Sequence, residues 1–314
     1  MVALLVILLG LLIVFIIMMT LVAPRHFYRL LLNTEAKSCG LHRCFIDIGD
    51  MKLSLLKNNS STKQTIVMLH GFSSDKYVFT RFARYFTKQY HVVIPDLAGH
   101  GDTGFEKCWD YSGPAHAERI AKLLDKLSVN KVHLVGNSMG GFISTHFAKM
   151  YPDRTLSLTL IDPAGIISPQ ASDMDKMIAQ NKNPFEVNNH QDFDDFYAMT
   201  MASPPWFPRF VFSVLSQDYQ QRKAALMLMF SHFYGKNMLD NNLGDIKAPA
   251  LLLWGEKDRL IHIDSVSIWQ AGITHLKVKT WPDIGHMPML EIPHKSAKEC
   301  LNFLNNKLGK LVVT

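Results

Sequence analysis

Three side chains in this sequence are of the types that together cleave an acyl bond: a serine flanked by glycines, an aspartate and a histidine. Ser138 stands in Gly136-Asn137-Ser138-Met139-Gly140, a G-x-S-x-G pentapeptide. Residues 131–135 before it are apolar and β-branched enough for a strand, and residues 142–150 after it suit a helix. A serine on so sharp a strand-to-helix turn projects its hydroxyl above the sheet, and the glycines leave room for strand and helix to approach closely. The pentapeptide alone arises by chance in about one chain in ten of this length, so its context decides its meaning.

A serine hydroxyl is a weak nucleophile near neutral pH; it needs a base, and the base needs an acid to orient it. Asp258, in Trp254-Gly255-Glu256-Lys257-Asp258, follows the apolar run 250–253, and His286 follows the strand-like run 276–281. Both therefore belong at the C-terminal ends of strands, where ligands and catalytic groups collect in an open parallel sheet. The order Ser138, Asp258, His286 differs from that of the two main serine-protease solutions. Asp162, closing the run 156–161, is a second candidate for the acid, less familiar in position than Asp258. Glu256 and Asp283 read as solvated loop residues, and His100, His262 and His294 as structural or exposed. For the oxyanion, the backbone N–H of Phe72, in His70-Gly71-Phe72 directly after the run 65–69, is placed to pair with that of Met139. His70 reads as a hydrogen-bonded histidine stabilising that loop, and Asp96 as a turn residue bracing it.

The elements that must position these groups are legible from hydrophobic period. Runs at 44–48 and 51–56, separated by Gly49-Asp50, predict a hairpin. The unbroken apolar run 65–69 suits a strand buried on both faces. Helical and strand-like patterns then alternate: 77–88, 91–97, 115–127, 132–135, 142–150 and 156–161, resuming with 250–254, 266–271, 276–281 and a closing helix over 295–307. Such alternation predicts an α/β fold, a mostly parallel sheet with helices on both faces. The interruption at 166–246 lacks strand-like runs and is rich in Met and aromatics, which predicts a helical cap whose apolar side chains pack on the body, some of them lining an acyl pocket.

Residues 1–23 carry no charge, and as a helix rising about 1.5 Å per residue they reach across a bilayer. With no basic n-region and Pro24 directly after Ala23, a transmembrane anchor is expected rather than a cleaved signal. Arg25, Arg29 and Lys37 follow it in a juxtamembrane linker (24–41), expected to lie along the headgroups through Phe27, Tyr28, Leu30 and Leu31; by the positive-inside rule the catalytic part faces the cytoplasm. Residues 42–165 and 247–314 then form the catalytic core. At 48% hydrophobic, the 314 residues suffice for one large core plus appendages. The balance of 33 Lys+Arg against 27 Asp+Glu gives only +6 with no dense basic run, which speaks against nucleic acid as a partner and is compatible with an anionic membrane surface. The four cysteines have no metal-ligand spacing and read as free thiols, with Cys39 and Cys44 close enough in sequence for a local bridge. The chemistry calls for no metal or organic cofactor, and oligomeric state leaves no mark on the sequence.

Taken together, His70-Gly71-Phe72, the turn Pro95-Asp96-Leu97-Ala98-Gly99-His100-Gly101, the pentapeptide, Trp254 to Asp258 and Gly285-His286-Met287-Pro288 resemble the α/β-hydrolase superfamily over residues 44–307. Serine in the elbow separates the chain from the haloalkane dehalogenase and epoxide hydrolase branches, which carry aspartate there. An apolar N-terminus followed by His-Gly-Phe-Ser and Gly-Asn-Ser-Met-Gly-Gly resembles the bacterial lipases of the Moraxella and Psychrobacter type, and is similar to the membrane-anchored monoacylglycerol lipases of animals. The resemblance implies a membrane-anchored serine lipase or esterase cleaving fatty acyl esters of mono- or triacylglycerol. Two alternatives stay open: the same groups acting on an amide, a non-lipid ester or a carbon–carbon bond, and a catalytically silent binding protein on this fold.

Overall fold

The computed structural model describes residues 2–60 and 62–311; within them the side chains of residues 3, 11–13, 15–17 and 307–311 lie outside the description. Two helices come first, α1 (Val2–Val22) and α2 (Pro24–Ser38). The hairpin β1 (His42–Asp47) and β2 (Lys52–Lys57) follows, then β3 (Thr65–Leu69), the short α3 (Thr80–Ala83) and β4 (His91–Pro95). Next come α4 (Gly113–Lys126), β5 (Val132–Asn137), α5 (Met139–Met150) and β6 (Thr155–Ile161). Three helices, α6 (Asp173–Ala179), α7 (His190–Thr200) and α8 (Arg209–Phe233), intervene before β7 (Ala250–Gly255), α9 (Ser265–Gly272), β8 (Lys277–Trp281), α10 (Pro288–Glu291) and α11 (Pro293–Leu311).

The eight strands form one sheet in the order β1-β2-β4-β3-β5-β6-β7-β8. β2 runs antiparallel to both neighbours, and every pairing from β4 through β8 is parallel. The parallel strands β3, β4, β5 and β7 are buried along their whole length, as a sheet covered on both faces requires. The two-residue period assigns alternate side chains to opposite layers: Ile66 and Met68 join one core with Phe82, Phe86 and Phe303, while Val67 and Leu69 join the other with Phe142, Phe147 and Trp254. This is the fold expected from the alternation of patterns.

Two stretches differ from expectation. The single helix expected over 77–88 is a turn of 3-10 helix, Lys76–Phe79, running into the four-residue α3, because buried Phe79, Phe82 and Phe86 fold the segment tightly against the sheet. The stretch expected as a linker is helical. Pro24 at the first turn presets the helical φ of α2, Phe27 packs against Phe210 of α8 with ring centroids 5.8 Å apart, and Arg81 Nε donates to Glu35 Oε1 at 2.6 Å. Leu30 and Leu31 stay exposed.

The expected transmembrane anchor over residues 1–23 is not supported: among the described residues no helix is long and apolar enough to cross a membrane. α1 covers that stretch, but Met1 and seven of its side chains lie outside the described residues, leaving its apolar surface only partly accounted for. The four cysteines are free, so the Cys39–Cys44 bridge does not form.

Candidate active site

β5 delivers Ser138 at its C-terminal end, and α5 starts at the next residue. Ser138 adopts φ +54° and ψ −120°, a conformation that L residues rarely hold. Its neighbours must be glycine: a Cβ on Gly136 would lie 2.2 Å from the Gly140 carbonyl oxygen, and one on Gly140 2.0 Å from that of Leu69. Strand β3, helix α5 and the elbow thus touch backbone to backbone, which fixes the serine against the loop after β3.

That loop carries Phe72, whose amide N–H, like that of Met139, donates to no described group. Two histidines hold it. His70 Nδ1 donates to Gly71 O at 2.8 Å while its Nε2 accepts from Leu97 N at 3.0 Å. His100 Nδ1 donates to Ala98 O at 2.9 Å while its Nε2 accepts from Ser73 N at 3.1 Å. Using one nitrogen as donor and the other as acceptor requires neutral rings. Burial keeps them so, lowering His70 to about 4 and His100 well below the ordinary histidine value. Both are bracing groups, as read from the sequence for His70. Asp96 braces the same loop from beneath: fully buried, it accepts from Lys76 N at 2.8 Å, from Lys76 Nζ at 2.6 Å and from Asp102 N at 2.8 Å.

At the far side of the elbow, Asp258 and His286 meet. Asp258 Oδ2 lies 2.6 Å from His286 Nδ1, both residues buried. Its Oδ1 accepts from the Leu260 and Ile261 amides at 2.8 and 3.0 Å, so both carboxylate oxygens are held in place. His286 is held at its backbone: its N–H donates to Thr200 O at 3.1 Å, and its carbonyl accepts from Asn137 Nδ2 at 3.0 Å. Glu291 fastens the loop, accepting from Gly285 N at 2.8 Å and Ser203 N at 2.7 Å. Asn137, Glu291 and Lys76 were not singled out from the sequence. Each is a lone polar residue with at least one partner far along the chain, and only the adjacency of Asn137 to Ser138 could have drawn attention to it.

Asp162, the second candidate acid, ends β6 at φ +44°. Its Oδ1 accepts from Gly255 N at 2.9 Å, and its Oδ2 is buried without a partner among the described residues. A carboxylate oxygen of Asp162, one of Asp258 and a ring nitrogen of His286 lie within 4.8 Å of one another, yet only Asp258 hydrogen-bonds the ring. Burial, then the neighbouring Asp258 charge, raises the Asp162 carboxyl well above the usual range.

Ser138, Phe72 and His286 line one cavity of about 190 Å³. Ser138 Oγ has no hydrogen-bond partner among the described residues; a nucleophile–base bond is commonly long until the transition-state complex draws it in. A second cavity of about 490 Å³ also reaches Ser138 and Phe72, and Phe142, Ile166, Met174 and Phe230 make it apolar. The Phe72 ring stands between them, packed on Phe185, Phe230 and Phe233 at centroid distances of 4.9, 5.7 and 5.1 Å. Geometrically this arrangement offers two largely apolar cavities that meet at one serine hydroxyl.

Comparison with known proteins agrees with this geometry. The model for the alpha/beta hydrolase fold family matches residues 64–293. Lipase 1 of Psychrobacter immobilis is 31% identical over 252 residues, covering 79% of this chain and 79% of that protein. A monoacylglycerol lipase of Xenopus laevis is 27% identical over 286 residues, covering 86% and 84%. The crystal structure of a membrane phospholipase A, described as a novel bacterial virulence factor, superposes with a TM-score of 0.89 at 30% identity, covering 98% of this chain and 99% of that one.

Proposed function

The chain belongs to the alpha/beta hydrolase fold family, and from that premise we propose that it is a serine lipase cleaving fatty acyl esters of glycerol at a membrane. The observation that carries this reading is the 2.6 Å contact between Asp258 and His286 beside the cavity that His286 shares with Ser138. Ser138 Oγ attacks the ester carbonyl. His286 Nε2 takes its proton and returns it to the leaving alcohol, while Asp258 keeps Nδ1 protonated and stabilises the imidazolium. The Phe72 and Met139 amides receive the oxyanion. Water then attacks the acyl-enzyme through the same steps and releases the fatty acid. No metal or organic cofactor takes part.

The likeness to a lipase and to a monoacylglycerol lipase favours acylglycerols, and the apolar cavity suits a fatty acyl chain. Residues 166–246 act as a cap that closes this cavity, and residues 42–165 with 247–314 as the catalytic core. Attachment through residues 1–23 is part of the same reading. Its support is a charge-free sequence, a helix α1 of 21 residues that would rise about 32 Å, and the exposure of Leu4, Leu5, Val14, Leu21 and Val22. The basic residues that follow, Arg25, Arg29 and Lys37, favour the cytoplasmic side for the core.

A glyceride panel on detergent-solubilised protein tests the proposal. Fatty acid is released from mono- or triacylglycerol by the native chain, and Ser138→Ala lowers kcat by about ten-thousandfold or more. Cleavage of amides or diketones with no ester turnover would move the activity to another bond, and retention of turnover in Ser138→Ala would remove the serine from the mechanism.

A further inference from the structure

A third cavity, of about 390 Å³ and markedly more polar than the other two, lies where α2, the loop after β3 and α8 meet. Its cations are Arg25, Arg29, Arg43, Lys76 and Arg222, opposed by Asp75, Asp102 and Asp218. Most of that charge is paired. Asp102 takes Arg29 Nη2 and Lys76 Nζ at 2.9 Å and Arg43 Nε at 3.4 Å, and Lys76 also holds Asp96. Arg222 Nε donates to Asp218 Oδ2 at 2.7 Å, and its Nη2 donates to Ser73 O at 3.2 Å.

Two donors are left over. Arg25 Nη2 and Arg222 Nη1 are buried and have no partner among the described residues. A buried guanidinium nitrogen that has given up water needs an acceptor, and folded proteins almost always supply one. Phosphate oxygens match the planar guanidinium fork, and two guanidinium groups, one from α2 and one from α8, line the same cavity. The position of the pair narrows the choice further. Arg25 lies three residues past the end of α1, at headgroup depth if α1 is the anchor. The polar cavity also shares Tyr28, Ser74, Leu215 and Arg222 with the cavity that holds Ser138.

We propose that the space between α2 and α8 is an anionic-headgroup site, in which Arg25 and Arg222 take the phosphate ester of a membrane glycerolipid beside the ester held at Ser138. This rests on the serine esterase reading above. In it the acyl chain occupies the apolar cavity and the phosphate the polar one, which shares Arg222 with the cavity at Ser138.

The test measures kcat/KM of the full-length protein in detergent micelles for 1-oleoylglycerol and for 1-oleoylglycerol 3-phosphate, which differ only in the phosphate. In Arg25→Gln the phosphate-to-neutral ratio falls about tenfold, the size of one charge-assisted hydrogen bond. Arg25→Lys recovers part of it, keeping charge but not the fork, and unchanged melting temperatures show that both variants fold. A second arm adds a non-hydrolysable diether phosphatidylglycerol to the neutral substrate. Stimulation present in the native chain and lost in Arg25→Gln, with the ratio unmoved, assigns the pair to a neighbouring lipid rather than to the substrate itself. A ratio and a stimulation that are both indifferent to Arg25 overturn the site, as does inhibition by inorganic phosphate in the absence of either lipid effect. Failure of the native chain to cleave either ester would instead contradict the esterase reading.

Discussion

At the scale of single residues, two buried carboxyl groups lie beside His286, and only that of Asp258 hydrogen-bonds its ring. Asp258 accepts two backbone amides and the ring, so removing its charge removes the imidazolium's partner. Asp258→Asn is expected to lower kcat by about ten-thousandfold, the magnitude known for the corresponding change in serine proteases. Asp162 makes no hydrogen bond to the ring among the described residues, and Asp162→Asn, which keeps the side chain's shape, is expected to lower kcat by less than about tenfold; a collapse equal to that of Asp258→Asn would make Asp162 the working acid. The pH dependence is a second readout. A carboxyl whose folded pKa is raised holds a proton that the unfolded chain has shed, so its contribution falls as pH rises from about 4 through the folded value. The stability difference between Asp162→Asn and the native chain should therefore grow with pH across that range, in urea denaturation. From the sequence, Asp258 was preferred by its place after β7; it is the carboxyl that hydrogen-bonds the His286 ring. The upward shift of the Asp162 carboxyl was not legible, because it depends on burial and on a neighbour 96 positions away in the chain.

At the scale of elements, the loop after β3 is only as rigid as the Lys76–Asp96–Asp102 cluster beneath it. Lys76 is wholly buried, with its ammonium between two carboxylates. Lys76→Met would leave Asp96 charged and uncompensated, an arrangement that costs about 3–5 kcal/mol. The loop bearing the Phe72 amide would loosen with it, so urea denaturation should show the loss and kcat should fall more than KM rises. A stability within 1 kcal/mol of the native chain would show that the cluster is not what fixes the loop. Strands β3 to β8 were readable because each is a short apolar run between turn residues. α2 was not, for its charged and apolar residues mix as in a surface linker, and what makes it helical is a partner surface on α8 and on the segment at 77–81. Lys76 was likewise hidden, since a lysine in a polar loop reads as solvated until the fold encloses it.

At the scale of the whole molecule, burial of histidines sets the response to acid. Burial lowers His70 and His133 to about 4, His116 to about 3, and His100 well below the ordinary value of 6.5. Between pH 6.5 and about 4 the unfolded chain takes up protons that these four rings refuse, and burial lowers His42, His91 and His146 as well, so stability falls as pH falls through that window. Asp75, raised to about 6 mainly by burial, and Asp162 act in the opposite sense and offset part of the loss. Melting temperatures at pH 7, 6 and 5 should drop progressively, and a flat series would show that these rings are solvated. The overall architecture and the meeting of Asp258, His286 and Ser138 along one sheet edge followed from the order of elements in the sequence. The polar cavity between α2 and α8 did not, since it arises from the packing of those two helices.

The central claim is that Ser138 is the nucleophile, and covalent labelling tests it most directly. The native chain, treated with a fluorophosphonate and digested, should yield a single phosphonylated peptide carrying the adduct on Ser138, with ester hydrolysis lost in step with labelling and neither seen in a folded Ser138→Ala variant. An adduct on another residue, or full hydrolysis by the fully labelled protein, would contradict it.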